Sequence, residues 1–129
     1  MKHQVACGLL VRNGPVLLVH RSSAKTSNPN VWDLPSGHLE PGEDSRQALV
    51  RELQEELNVS VTPPAGSAIH TRRNSYLVLD VWRVDDWAGE VANAAPDEHD
   101  DIGWFNLNEA ISLDLANFEY PALFQQEPA

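Results

Sequence analysis

Cys7 is the only cysteine among 129 residues, which excludes a disulfide framework and any cysteine-based zinc site. Its neighbours Val5, Ala6, Leu9 and Leu10 mark it as a buried thiol rather than a nucleophile. No apolar run approaches the roughly 20 residues that a membrane-spanning helix needs. Met1-Lys2-His3-Gln4 passes directly into an alternating strand pattern rather than a signal-peptide layout, so the expectation is a cytoplasmic protein with no membrane partner. Basic residues are scarce too: nine Lys and Arg against nineteen Asp and Glu give a formal net charge of −10. That balance argues against bulk DNA or RNA as a partner, since basic patches dominate such binding. A small phosphorylated substrate stays compatible, provided a cation bridges the two negative partners.

What is present suits one domain, residues 1–129, with a single core; the hydrophobic share of 42% is ordinary for a globular chain. His3 to Val11 and Val16 to His20 read as strands joined at Asn13-Gly14, with Pro15 expected to widen the turn because it lacks a donor. Residues 21–31 read as a loop. Trp32 to Gly42 holds Pro35, Gly37, Pro41 and Gly42, too many breakers for regular structure. A helix is expected over Ser45–Leu57, with Asp44 as N-cap, Gln47 completing a capping box, and Asn58 as a left-handed stop. Further strands are expected at Ser67–Thr71, Tyr76–Val84 and Ile102–Phe105. Trp87–Glu90 and Asp97–Asp101 read as loops around a short strand. A short helix should open at Asn106-Leu107-Asn108-Glu109, and another should cover Asn117 to Gln126. Irregular alternation without repeats points to one α+β or mixed α/β domain.

At 100° per residue the central helix places Leu49, Leu53 and Leu57 on one stripe, its core face. Glu52, Glu55 and Glu56 fall within an arc of roughly 100° beside it, because they are three and four residues apart. A solvated acidic face is the bland alternative, and two facts weigh against it. Glu52 and Glu56 repel at (i, i+4), and all three lie in the C-terminal half, where the helix dipole disfavours each anion by up to about 1 kcal/mol. A bound cation reverses both penalties. Carboxylate oxygens suit hard Mg²⁺ or Mn²⁺ rather than zinc.

Gly37, Glu43, Arg51-Glu52-Leu53, Glu55-Glu56 and Val59 reproduce the spacing G-x5-E-x7-R-E-U-x-E-E-x-G-U, where U is aliphatic. The chain thus resembles the Nudix hydrolases, with the box at residues 37–59. Six identities at fixed spacing leave little room for chance. Asn58 departs from the family's glycine, but both residues accept positive φ. The run Arg51-Glu52-Leu53-Gln54-Glu55-Glu56 is most similar to the MutT-type members, and the flanks Trp32-Asp33-Leu34-Pro35, Trp87-x-Gly89-Glu90 and Trp104-Phe105 extend the likeness over most of the chain.

The resemblance implies an α/β/α sandwich with a central mixed sheet and hydrolysis of a pyrophosphate bond. It implies Glu52, Glu55 and Glu56 as magnesium or manganese ligands, completed by the Gly37 carbonyl, with Arg51 and Glu43 orienting them as an ion pair. Glu98 stands where MutT-type enzymes place a further metal-binding or basic glutamate. Arg21 matches a phosphate-contacting position, His38 adjoins the same loop, and Asn117 and Glu119 fall where such an enzyme holds a purine. Tyr76 lies near a position associated with dinucleoside-polyphosphate hydrolases, but a strand tyrosine in the core is the expected reading. His3, His20, His70 and His99 form no ligand pattern. The implied substrate is a small nucleotide: a (deoxy)nucleoside triphosphate such as 8-oxo-dGTP, with ADP-ribose or dinucleoside polyphosphates as the enzymatic alternative. A non-catalytic nucleotide sensor of the same fold is the alternative from another class. A monomer or homodimer is expected.

Overall fold

The structure is a computed structural model that describes residues 2–26, 28–117 and 119–126. Strands β1 (His3–Leu10) and β2 (Val16–Arg21) are almost continuously apolar, the signature of strands covered on both faces. Their side chains alternate between two cores. Ala6, Leu10, Leu17 and Val19 face one; Cys7, Leu9, Val16 and Leu18 face the other. The link between them does not widen as expected at Pro15. Asn13 and Gly14 both take positive φ, 56° and 106°, and Arg12 N–H donates to the Pro15 carbonyl at 3.0 Å. Proline forfeits only the return bond, and its carbonyl still closes a two-residue turn.

The breaker-rich segment is more ordered than its composition suggests. It holds two short strands, β3 (Trp32–Asp33) and β4 (Ser36–His38), on either side of Pro35. Pro35 lacks a donor, yet its carbonyl accepts Gly8 N–H at 2.9 Å, so the chain crosses from one sheet to the other without an orphaned acceptor. The remaining strands are β5 (His70–Arg73), β6 (Leu77–Val84) and β7 (His99–Phe105). One sheet runs β4-β1-β6-β5, with β1 and β6 parallel and its other pairs antiparallel; the second runs β3-β2-β7, wholly antiparallel. β7 begins three residues before the expected Ile102, inside the acidic stretch. Asp101 pairs with His20 in the ladder, and the Asp100 carboxylate meets His20 Nδ1 at 2.6 Å. The short strand expected after Glu90 is absent among the described residues; Ala88 makes only an isolated bridge to Ser60.

Helix α1 (Ser45–Leu57) has the expected bounds. Asp44 accepts Gln47 N–H while the Gln47 side chain accepts Asp44 N–H, and Asn58 stops the helix at φ 59°, ψ 37°. Leu49, Leu53 and Leu57 are buried against Ala6, Leu10, Leu17 and Val19. The opposite face is covered by α2 (Leu107–Ala110) and α3 (Tyr120–Gln126), through Ala110, Leu123 and Phe124. Helix, sheet and helix form three layers, a mixed α+β domain. α3 starts at Tyr120 rather than Asn117, because Asn117 Oδ1 accepts Glu119 N–H at 2.9 Å and its carbonyl accepts Tyr120 N–H at 3.2 Å. Cys7 is buried, and burial raises its pKa well above the usual thiol value. Tyr76 is no core residue: it is 65% exposed, at the entry to β6. No helix is long and apolar enough to cross a membrane among the described residues.

Candidate active site

The pairing of Ala6 with Gly37 carries β4 against α1. A Cβ on Gly37 would stand 2.0 Å from Cδ of Glu52 and 2.2 and 2.4 Å from its oxygens. Glycine is required here by close approach, since any side chain would occupy the place of the carboxylate.

Arg51 gathers the acids of the loop and the helix. It grips Glu43 with two N–H bonds, Nε to Oε2 at 2.7 Å and Nη2 to Oε1 at 3.0 Å. Its Nη1 donates to Glu52 at 2.8 Å and to Glu55 at 3.2 Å, and Nη2 also reaches the His38 carbonyl at 2.9 Å. These hydrogen bonds push the Glu43 pKa below the usual carboxylate value, and the Glu43 contact raises that of Arg51. The guanidinium is fully engaged by protein groups, which suits a brace rather than a substrate-binding cation.

Glu56 is the unusual member. It is 3% exposed, and its Oε1 has no hydrogen-bond partner among the described residues. Burial, then a hydrogen bond and charge repulsion from Glu52, then the charge of Glu98, raise its pKa to about 10, opposed by a bond from the Ser36 backbone. His99, 5% exposed, places Nε2 3.6 Å from that Oε1. Burial lowers the His99 pKa.

A cleft of about 570 Å³ opens beside this group, with Arg21, Lys25, Glu52, Glu98 and His38 in its walls and Asp33 and Tyr120 deeper in. Tyr120 O–H donates to Asp33 Oδ1 at 2.8 Å, and Arg21 Nη1 lies 3.4 Å from Asp33 Oδ2. Burial raises the Asp33 pKa against both contacts. Glu98 lies 3.4 Å from Lys25 Nζ. A smaller hollow of about 290 Å³ shares Asp33 and Tyr120 and adds Asn117, Arg72 and Tyr76.

The structure therefore brings together Gly37, Glu43, Arg51, Glu52 and Glu56, and lines the adjoining cleft with Arg21, His38 and Glu98. It sets Asn117 in the neighbouring hollow. Glu119 turns away to β5, where its Oε1 lies 3.5 Å from His70 Nε2 and 3.6 Å from Arg72 Nη1. Glu55 is also apart: its side chain is 57% exposed and tied to Arg51. Among the described residues no three His, Cys, Asp or Glu side chains converge closely enough to hold an ion as they stand. Like charges do not gather unaided, and Arg51 draws Glu52 and Glu55 to itself. The donor chemistry still fits a hard divalent cation, with a buried, unpartnered carboxylate oxygen beside a second carboxylate. Two residues of the site carried no warning in the sequence. Asp33 passed only as part of a flanking run, and His99 lies 43 positions from Glu56 with no spacing to link them.

The NUDIX domain family matches residues 2–126. The CTP pyrophosphohydrolase of Escherichia coli is 34% identical over 122 residues, covering 93% of this chain and 87% of that one. The 8-oxo-dGTP diphosphatase of the same organism is 33% identical over 93 residues, 69% of this chain and 70% of that one. Among solved structures, MutT studied in Aliivibrio salmonicida and Vibrio cholerae superposes with a TM-score of 0.82 at 22% identity, over 96% of this chain and 97% of that one, a likeness of fold.

Proposed function

This chain belongs to the Nudix family of hydrolases, and on that premise we propose that it cleaves a (deoxy)nucleoside triphosphate to a monophosphate and pyrophosphate, with Mg²⁺ or Mn²⁺ as cofactor. The observation that carries this reading is the buried Glu56 carboxyl, with an oxygen that no group among the described residues satisfies, beside Glu52 at the wall of a cleft lined by Arg21 and Lys25. When bound, the divalent ion polarises the phosphoryl oxygens and lowers the pKa of an attacking water.

The chain's own residues do the rest. Glu52 and Glu56 hold the ion, Glu55 joins them by leaving Arg51, and the Gly37 carbonyl completes the set. Arg51, clamped by Glu43, fixes the direction of Glu52 and offsets part of the acid charge. Glu98 accepts the water proton or binds a further ion. Arg21, Lys25 and His38 meet the phosphates, drawing the polyanion into a protein of net charge −10. Asn117 reads the base, with Glu119 anchoring its segment to β5.

An oxidised purine such as 8-oxo-dGTP is the expected substrate, since the Asn117 amide suits the carbonyl edge of that base. A pyrimidine triphosphate is the second reading. It is favoured by the relative named for CTP, which matches 93% of the chain against 69% for the one named for 8-oxo-dGTP. The test is kcat/KM for 8-oxo-dGTP, dGTP, CTP, dCTP, ADP-ribose and diadenosine tetraphosphate with Mg²⁺, products identified. A tenfold lead for CTP, about 1.4 kcal/mol, selects the second reading. The same lead for ADP-ribose or the dinucleotide overturns both, and binding without turnover of any compound leaves the sensor.

A further inference from the structure

His99 opens β7, and its place is fixed by several independent contacts. Its N–H donates to the Ala95 carbonyl at 3.0 Å, and its own carbonyl accepts Asn93 Nδ2 at 2.7 Å. It pairs with Arg21 where the ladder bulges between His20 and Arg21. The segment before it is tied to the end of α1, Ala94 N–H donating to the Glu56 carbonyl at 2.8 Å. Backbone contacts from both sides thus hold the imidazole against the Glu56 side chain. Nε2 and Oε1 stand 3.6 Å apart, just beyond a hydrogen bond, and both residues are buried. Among the described residues Oε1 has no hydrogen-bond partner, and neither does His99 Nδ1.

A buried carboxylate oxygen needs a donor once it carries charge. Glu52 and Glu98, the acids acting on Glu56, offer none when ionised. The imidazole does: with its proton on Nε2 it becomes a donor aimed at Oε1, and Nδ1 remains a bare acceptor. A small rotation of either side chain closes the gap.

We propose that His99 is a positioning residue for Glu56: its Nε2–H donates to Oε1 of the ionised carboxylate and so fixes the direction in which Glu56 faces a bound metal ion. This rests on the metal-binding role of Glu56 proposed above, so the experiment separates the two. The affinity of the full chain for Mn²⁺ is measured without nucleotide, by the loss of the free-ion electron paramagnetic resonance signal. His99→Leu removes the donor. It should weaken Mn²⁺ binding by about tenfold or more, the scale typical of groups that orient metal ligands. His99→Gln keeps an N–H at similar reach and should recover binding to within about threefold of wild type. In a Glu56→Gln background His99→Leu should have no further effect, because the group it acts through is gone.

Mn²⁺ binding by His99→Leu within twofold of wild type overturns the proposal, as does an equal loss with or without the Glu56 carboxylate. A merely structural role would give that second pattern, with a lowered melting temperature in EDTA and no rescue by glutamine. Where His99→Leu does not fold, His99→Asn, too short to reach Oε1, takes its place. Wild-type Mn²⁺ affinity in Glu56→Gln would instead remove the metal role of Glu56 itself, and this proposal with it.

Discussion

Gly37 and Glu56 show how much of the site is decided by single atoms. A methyl on Gly37 would displace the Glu52 carboxyl, whose atoms lie 2.0 to 2.4 Å from where it would sit. What gives way is the far end of a flexible side chain, so the fold should tolerate the change while the site does not. Gly37→Ala is expected to lower kcat/KM by at least about tenfold, with the melting temperature in EDTA moved by no more than about 4 °C. Unchanged turnover would mean that the position of Glu52 is not critical. Glu56 makes a prediction in pH. Its folded-state pKa of about 10 stands above the ordinary 4.5, so between those values the native chain keeps a proton that the unfolded chain has released. Its contribution to stability is full below about pH 4.5 and declines as pH rises toward 10, by at most about 1.4 kcal/mol per unit. Glu56→Gln removes that slope. Thermal melts in EDTA should therefore show the variant gaining on wild type from about pH 5 to about pH 9. A constant difference across that range would place an ordinary ionised carboxylate at this position.

At the level of elements, α1 is the part whose sequence speaks most plainly. Its start is written in Asp44 and Gln47, its stop in Asn58, and its buried face in Leu49, Leu53 and Leu57, all local signals at fixed spacing. Asp44→Ala should cost about 1 kcal/mol of stability by loss of the cap, read from the urea midpoint; a shift below about 0.3 kcal/mol would show the Gln47 half of the box to suffice. The box spacing likewise made Glu43, Arg51 and Glu52 legible as one group. β3 and β4 were not legible. Strands of two and three residues carry no periodicity, and their order comes from pairing with β2 and β1, which the segment itself does not encode. The start of β7 was hidden for a related reason: Asp100 and Asp101 read as loop, and only the partnership with His20 on β2 turns them into strand. The approach of His99 to Glu56, set by that same strand and bulge, was beyond any local rule. So was the exposure of Tyr76, because an aromatic at a strand entry has no local mark that tells surface from core.

For the molecule as a whole, metal, charge and stability are linked. The chain carries a formal −10, and burial beside Glu52 keeps a proton on Glu56 that a bound cation must displace. Any divalent ion that binds the native chain and not the unfolded one must raise stability, by about 2.7 kcal/mol at a hundred times its dissociation constant. In a domain of this size that is several degrees of melting temperature. Stabilisation and catalysis should nevertheless part company between ions. Mg²⁺ demands a near-octahedral shell at about 2.0–2.1 Å, whereas Ca²⁺ takes six to eight oxygens at about 2.3–2.6 Å. Both can take the place of the proton that Glu56 keeps beside Glu52, but the wider shell would hold phosphate and water further apart than in-line attack requires. Protein stripped with EDTA should thus melt higher with Mg²⁺, Mn²⁺ or Ca²⁺, yet turn over nucleotide with the first two only. The double variant Glu52→Gln, Glu56→Gln should lose the shift with all three, because the oxygens that hold the ion have lost their charge. Turnover at the full rate in excess EDTA would refute metal dependence outright. A melting shift that survives the double variant would instead place the ion elsewhere on this acidic surface, and the cleft beside α1 would then need another account of how it binds a polyanion.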